Sequence, residues 1–444
     1  MGSYAECWLE SLYIGKTKEY VDPDLMALFR ASDKRKHRTL VKDLPRPMHQ
    51  WADYVEDPSE DVTVVYYSAP AFLVKERLEL QGYTLETAKR AFMKRMKATF
   101  RFYASGIAIK EMREYYEHKA TLLKGLNVEK WLAALRHIKE TGVEPDTSGP
   151  EKPEKTFEDY MLQHDWYGFD GVDLNVPLRL ALEVCDEKDN LIYDLTDLIS
   201  QECYEDQDFV ALTSDRSADE HTSRSKIIVL TEGRSDGWIL SESMRLLYPH
   251  LADYFTFMDF ETARVDGGVS HLARYVKSFA GVGIVNKVIA VFDNDTAGEE
   301  AIRSLRKITL PGNLCVLKLP NLKTLRKYPT IGPSGPVTMN VNGMAASIEL
   351  YLGEDVLRDK GKLTPVQWSG YNPVLGKYQG EVLGKDRIHE RFKDKLARDH
   401  NSKNLRRDPQ WSGLCAIMSS IFSAFHDFDR KHILAEQSEE YSRW

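Results

Sequence analysis

Between Lys226 and Glu300 short, unbroken apolar runs alternate with stretches whose apolar positions recur every three or four residues. "KIIVLTEG" is a branched apolar run closed by glycine, the pattern of a strand buried on both faces. "DGWILSESMRLLYP" follows as an amphipathic helix stopped by Pro249, then "YFTFMDF" as a strand and "GGVSHLARYVKSFAGVG" as a helix bounded by glycines. "KVIAVFDND" is strand-like again and leads into a helical "TAGEEA". This alternation predicts a parallel α/β sheet, whose ligands lie beyond the C-terminal ends of the strands. Upstream the rhythm differs. "CWLESLYIG" and "DVTVVYYSA" read as strands, and "LPRPMHQW" between them as loop. After Thr84 as N-cap, Leu85, Ala88, Phe92, Met96 and Phe100 fall at helical spacing, continued by "IKEMREYYEHKATLL" and "VEKWLAALRHIKETG". "GVEPDTSGPEKPEK" gathers Gly, Pro and charge as a linker. Beyond it "LRLALEVCDEKDN" predicts a strand and turn, and "LIYDLTDLISQECYE" a short helix. "KYPTIGPSGPVTMNVNG" predicts a loop before "MAASIELYLGEDVL" resumes as helix.

The expected organisation is α/β. A Rossmann-like parallel-sheet domain at 224–400 follows a mixed α+β N-terminal domain at 1–145, β-rich to about 83 and then helical. A linker at 146–156, a mixed connecting region at 157–222 and a C-terminal helical segment at 401–444 complete it. The 444 residues suffice for two or three domains. Apolar content of 42% with 29% charged residues excludes a disordered chain. No apolar run is long enough to span a bilayer. The start "MGSYAECWLE" lacks a signal pattern, and Glu6 stands where myristoylation wants Ser or Thr, so a cytoplasmic protein is expected. Five cysteines without a Cys-x-x-Cys pair argue for reduced thiols and against a zinc module. A net charge of −8 argues against broad polyanion binding but leaves room for a local basic groove.

The acids at the strand ends carry the chemistry. Side chains alternate along a strand, so Asp293 and Asp295 in "FDNDTAG" project to one side. Glu232 ends another strand, in "VLTEGRSD", where Gly233 allows close approach, and Asp236 lies one turn into the next helix. If the strands are neighbours, the four acids converge, and their repulsion raises their pKa values unless cations neutralise it. Oxygen ligands without His or Cys suit Mg²⁺ or Mn²⁺. The alternative is a surface turn with one acid capping the helix.

Glu-Gly after one strand and "FDNDTAG" after a later one resemble the Toprim domain of topoisomerases, primases, recombination factors and nucleases of the overcoming-lysogenization-defect type. The resemblance covers roughly 225 to 320, reaching toward 400. It implies a phosphodiester substrate, with Glu232, Asp293 and Asp295 as metal ligands or catalytic acids. The nuclease branch fits best. It implies Asp236 and Glu349 as further metal ligands and Lys385 as a catalytic cation. Asp293 and Asp295 would then hold one metal, and Glu232 and Asp236 a second. No Gly-x-x-x-x-Gly-Lys-Ser/Thr loop is present for an ATPase. "MGSYAECWLESLYIG", with "YVDPDLMALFRASDKR", resembles the small domain found before HEPN or Toprim modules in bacterial conflict systems, over about the first eighty residues.

The resulting expectation is a Mg²⁺- or Mn²⁺-dependent Toprim endonuclease acting on DNA ahead of RNA in antiphage or conflict defence. It would work alone, as a homo-oligomer or with a partner protein of the defence system, and away from membranes. One alternative is a Toprim-fold subunit that binds nucleic acid or assembles a complex without cutting. Another is a HEPN-like ribonuclease at Arg113 and His118, whose spacing in "REYYEH" matches Arg-x4-His. Lys89, Arg90, Lys94, Arg95, Lys97 and Arg101 make a basic run that is either a phosphate-binding face or a solvated helix face. Trp368, Tyr371 and Trp411 are candidates for base stacking or for core.

Overall fold

A computed structural model describes residues 3–44, 57–142, 154–168, 173–218, 226–258 and 266–441. The chain divides into two compact units, Met1–His221 with His426–Trp444, and Thr222–Phe425.

The first unit is built on a five-stranded sheet of β1 (Tyr4–Leu9), β2 (Leu12–Lys18), β3 (Lys34–Leu40), β4 (Asp61–Pro70) and β5 (Asn190–Asp194) in the order β2-β1-β5-β4-β3. All its pairings are antiparallel. Alternate residues of the three central strands, including Ala5, Cys7, Tyr67, Ala69, Leu191 and Tyr193, are buried in one core. That core also takes the apolar stripes of α1 (Leu85–Gly106) and α3 (Val128–Thr141), among them Phe92, Trp131 and Leu135. Thr84 caps α1 by accepting from the Thr87 amide. Between these helices lies α2 (Arg113–Leu123).

Three expectations change here. The central strand β5 comes from residues 190–194, so the sheet does not close within 1–145 and 145 is no domain boundary. "LRLALEV" is helical, Asn175–Ala181 running into Leu182–Val184, because its neighbours bury it on all sides and erase any telling period. The strand falls instead on "NLIYD". β3 carries "KRKHRTL", a charged edge strand of the kind that resists sheet-to-sheet pairing, and its polarity hides it in the sequence. Most of the expected linker, 143–153, and the loop at 45–51 lie outside the described residues.

The second unit holds the parallel sheet. β6 (Ile227–Leu230), β7 (Phe255–Phe257), β8 (Val288–Phe292) and β10 (Leu314–Lys318) lie in the order β10-β8-β6-β7, every pairing parallel. β8 is buried at all five positions, which accounts for its unbroken apolar run. The connecting helices are α4 (Arg234–Leu247), α5 (Val269–Val282) and α6 (Thr296–Leu305). The fold of this unit is thus α/β with a parallel sheet, and that of the N-terminal unit is mixed α+β.

The stretch expected as a loop at 327–343 is mostly sheet. β11 (Tyr328–Gly332) and β12 (Gly335–Met339) form a hairpin in a second sheet with β14 (Val366–Asn372) and β15 (Lys377–Val382), in the order β12-β11-β14-β15. Two short strands, β9 (Asn294–Asp295) and β13 (Ala345–Ala346), pair antiparallel. The expected helix at 344–357 is only a 3-10 turn at Ile348–Tyr351 and a short helix at Glu354–Leu357. The segment 401–444 does not form one piece: Ser412–Phe422 belongs to the second unit and His426–Tyr441 to the first.

Candidate active site

Parallel register brings the acids together. Leu230 of β6 pairs with Ala290 of β8, so the chain ends carrying Glu232 and Asp293 emerge side by side. Glu232 Oε1 accepts from the Asp293 amide at 2.9 Å across sixty-one positions of sequence. Asp236, in the first turn of α4, accepts from the Gly233 amide at 2.9 Å and closes that helix's N-terminus. Asp295 caps α6, its Oδ1 accepting from the Gly298 amide at 2.7 Å.

Two glycines allow this packing, and Gly233 is not one of them. A Cβ on Gly298 would stand 2.5 Å from the Asp293 carbonyl oxygen, and one on Gly267 would stand 3.0 Å from the Glu232 carbonyl oxygen. Gly233 would meet nothing nearer than 3.6 Å, so close approach does not demand glycine there. The glycine of "TAG" after "DND" is therefore required by the backbone that carries the acids.

β13 brings the fifth acid. Ala345 pairs with Asp295, and the chain then turns so that the Ile348 amide donates to Asp293 Oδ1 at 3.2 Å. Buried Glu349 follows, its Oε2 accepting from Ser347 Oγ at 2.5 Å. The helix α7 (Lys385–Asp399) presents Lys385 and His389 four positions apart on one face. Lys385 Nζ lies 3.7 Å from Glu349 Oε1, and His389 Nε2 lies 3.1 Å from the same oxygen. Sequence reasoning missed His389. Only its i, i+4 relation to Lys385 could have signalled it, and that spacing is common on any helix.

The electrostatics follow from this crowding. Withdrawal from water, with Asp295 and Asp236 nearby, pushes Glu232 up to about 7. Withdrawal from water and the Glu349 charge push Asp236 up to about 6. Asp293 is raised well above the ordinary carboxylate range by withdrawal from water and by Glu232, Asp236, Asp295 and Glu349. Asp295 is raised too, chiefly by withdrawal from water, although the Gly298 amide and Lys385 oppose it. Glu349 goes the other way. Burial alone would raise it, but His389, Lys385 and Ser347 together hold it down to about 2. For Lys385, withdrawal from water favours the neutral amine; Glu349, Asp293 and further acids outweigh it and raise its pKa.

The donor set therefore fits a hard divalent cation in chemistry: carboxylate oxygens, mutual repulsion and one balancing ammonium. Among the described residues no three His, Cys, Asp or Glu side chains are already drawn into a metal-binding group. The acids sit within Coulombic reach of one another without chelating, and Asp236 and Asp295 each commit an oxygen to a helix cap.

The other candidates resolve differently. Arg113 pairs with Glu117 at 2.9 Å, one turn along α2, and His118 Nε2 contacts the Glu154 carbonyl at 2.7 Å. Five positions on a helix separate side chains by about 140°, and these two are engaged in different directions. In the basic run Arg90 pairs with Glu86, and Lys94 donates to the Leu434 carbonyl at 3.0 Å. Trp411 is fully buried and donates to Asp399 at 3.1 Å, so it is core. Tyr371 is 56% exposed.

Residues 1–217 match the family model of HEPN/Toprim N-terminal domain 1. The match extends well past the eighty residues whose opening pattern suggested it and includes the central strand β5. It ends before Glu232, so it covers none of the acidic cluster. No curated protein and no solved structure matches the chain. Among the described residues no helix is long and apolar enough to cross a membrane.

Proposed function

We propose that the second unit is a Toprim-like nuclease centre, dependent on Mg²⁺ or Mn²⁺, acting on DNA ahead of RNA. The observation that carries this reading is the hydrogen bond from the Asp293 amide to Glu232, which holds two acids at the C-terminal ends of adjacent parallel strands. Asp295, Asp236 and Glu349 close around them, with Lys385 as balancing cation. Asp293 with Asp295, and Glu232 with Asp236 and Glu349, would hold the metal. A bound divalent ion would supply Lewis acidity toward a phosphate and a water of lowered pKa. The chain's own part is to hold the acids where ionising Glu232, Asp236, Asp293 and Asp295 is unfavourable until a cation offsets their mutual repulsion. It also holds the Lys385 ammonium where charge develops on a phosphoryl oxygen. The N-terminal match supports a place in a nuclease-related conflict system.

A second reading is a Toprim-fold subunit that binds without cutting. The capping duties of Asp236 and Asp295 and the unchelated spacing of the acids favour it. Incubating the full-length protein with plasmid, linear DNA and RNA in Mg²⁺, Mn²⁺ or EDTA separates the two. Metal-dependent strand scission is the expected result. Retention of nucleic acid without scission in either metal would select the second reading, and RNA cleavage in EDTA would move the chemistry to Arg113 and His118.

A further inference from the structure

Lys385 and Lys395 lie on the same helix, α7, and meet the structure in opposite ways. Lys395 is 1% exposed and donates to the Leu352 carbonyl at 2.7 Å, Asp355 Oδ1 at 3.0 Å and the Gln410 carbonyl at 2.8 Å. It is a structural lysine with all three protons placed. Lys385 makes no hydrogen bond among the described residues. The nearest acid there is Glu349, whose Oε1 lies 3.7 Å from Nζ, beyond hydrogen-bond distance. Glu232, Asp236, Asp293 and Asp295 also lie within its Coulombic reach. The ammonium thus stands among five carboxylates and closes on none. That needs a cause, because a flexible four-carbon stem lets an ammonium move onto a carboxylate this near.

His389 supplies the cause. Glu349 Oε1, the oxygen that faces Lys385, already accepts from His389 Nε2 at 3.1 Å. Nε2 carries the proton, since an ionised carboxylate only accepts. The other oxygen, Oε2, accepts from Ser347 Oγ at 2.5 Å. Ser347 sits in the turn that Asp293 holds through the Ile348 amide, whereas His389 comes from α7, one turn beyond Lys385. The buried carboxylate is therefore gripped from two elements. Each oxygen has two lone-pair sites and commits one, so one on each is left for a cation.

We infer that His389 is a positioning residue: by donating to Glu349 Oε1 it keeps the Lys385 ammonium off that carboxylate, leaving the carboxylate open to a divalent cation and the ammonium to a phosphoryl oxygen. The inference rests on the nuclease reading for those two uses; the contact itself does not need it. Without the histidine donor, Lys385 moves onto Glu349 and each cancels the other's charge.

Two measurements on the full-length protein, both without nucleic acid, test this. The first is acylation of Lys385 in EDTA, read by mass spectrometry against exposed Lys393 of the same helix. His389→Leu should slow acylation of Lys385 by about threefold, because a contact ion pair ties up the amine. His389→Gln keeps a donor of similar reach and should label as wild type. Buried Lys395 should stay unlabelled throughout; if leucine exposes it, His389→Asn, whose amide falls short of Glu349, takes its place. The second measurement is Mn²⁺ binding by electron paramagnetic resonance. His389→Leu should weaken it by about tenfold. Lys385→Met should raise Mn²⁺ affinity more in the leucine background than in wild type, since only there does the ammonium occupy the ligand. Unchanged labelling of Lys385 in His389→Leu would overturn the inference. So would a glutamine variant as impaired as the leucine one. A labelling shift in a protein that binds no Mn²⁺ would end the nuclease reading and leave this contact standing. Metal-dependent scission with Lys385 labelling indifferent to His389 would do the reverse.

Discussion

Glu232 holds its proton to about pH 7 because it is withdrawn from water among other acids. Its carboxyl would otherwise titrate near 4.5 in the unfolded chain. The folded state therefore keeps a proton that the unfolded state releases. The stability this contributes is complete below pH 4.5 and is lost as pH rises through about 7. Glu349, held down to about 2, has the opposite sign: its contribution is present above 4.5 and fades as pH falls toward 2. The two windows do not overlap. In EDTA, Glu232→Gln should melt close to wild type at pH 5 and on the order of 2–4 °C higher at pH 8. Added Mg²⁺ should raise the wild-type melting temperature more at pH 8 than at pH 5. A constant difference between variant and wild type across that range would mean that Glu232 ionises freely in the folded protein.

The helix α6 tests whether Asp295 is a cap, a ligand or both. Asn caps nearly as well as Asp, so Asp295→Asn should keep stability within about 0.5 kcal/mol while removing a charge from the cluster. Asp295→Ala should lose about 1 kcal/mol of capping, partly offset by relieved repulsion. If both variants lose metal-dependent cleavage equally while only Ala loses stability in urea titration, the two roles separate. Full activity in Asp295→Asn would reduce the residue to a cap. Gly298→Ala should cost about 1–3 kcal/mol, since its Cβ must displace the Asp293 carbonyl. The elements around this helix were legible because strands buried on both faces leave continuous apolar runs, and "DND" interrupts one abruptly. The edge strand β3 was not, since its charged residues face solvent. Nor was the β11–β12 hairpin, whose Gly and Pro residues imitate a loop. His389 reaches the site only through the tertiary placement of α7.

The whole chain divides where long-range strand pairing places the boundary, not where composition changes. Gly, Pro and charge at 142–155 predicted an end to the first domain, yet β5 and the helix at His426–Tyr441 belong with residues 1–142. Fragment 1–145 lacks the central strand and should unfold without a cooperative transition, whereas 222–425 should melt sharply on its own; circular dichroism on both checks this. A sharp transition in 1–145 would restore the boundary at the linker. The account as a whole turns on whether the acids beyond β6 and β8 perform phosphodiester chemistry. The most direct measurement is a time course of plasmid nicking in Mg²⁺ by wild type and by Asp293→Asn with Asp295→Asn, two changes that keep the α6 cap and the side-chain volumes. The account predicts nicking by wild type that EDTA stops, and a rate lower by about a thousandfold or more in the variant. Equal nicking by both proteins would contradict it.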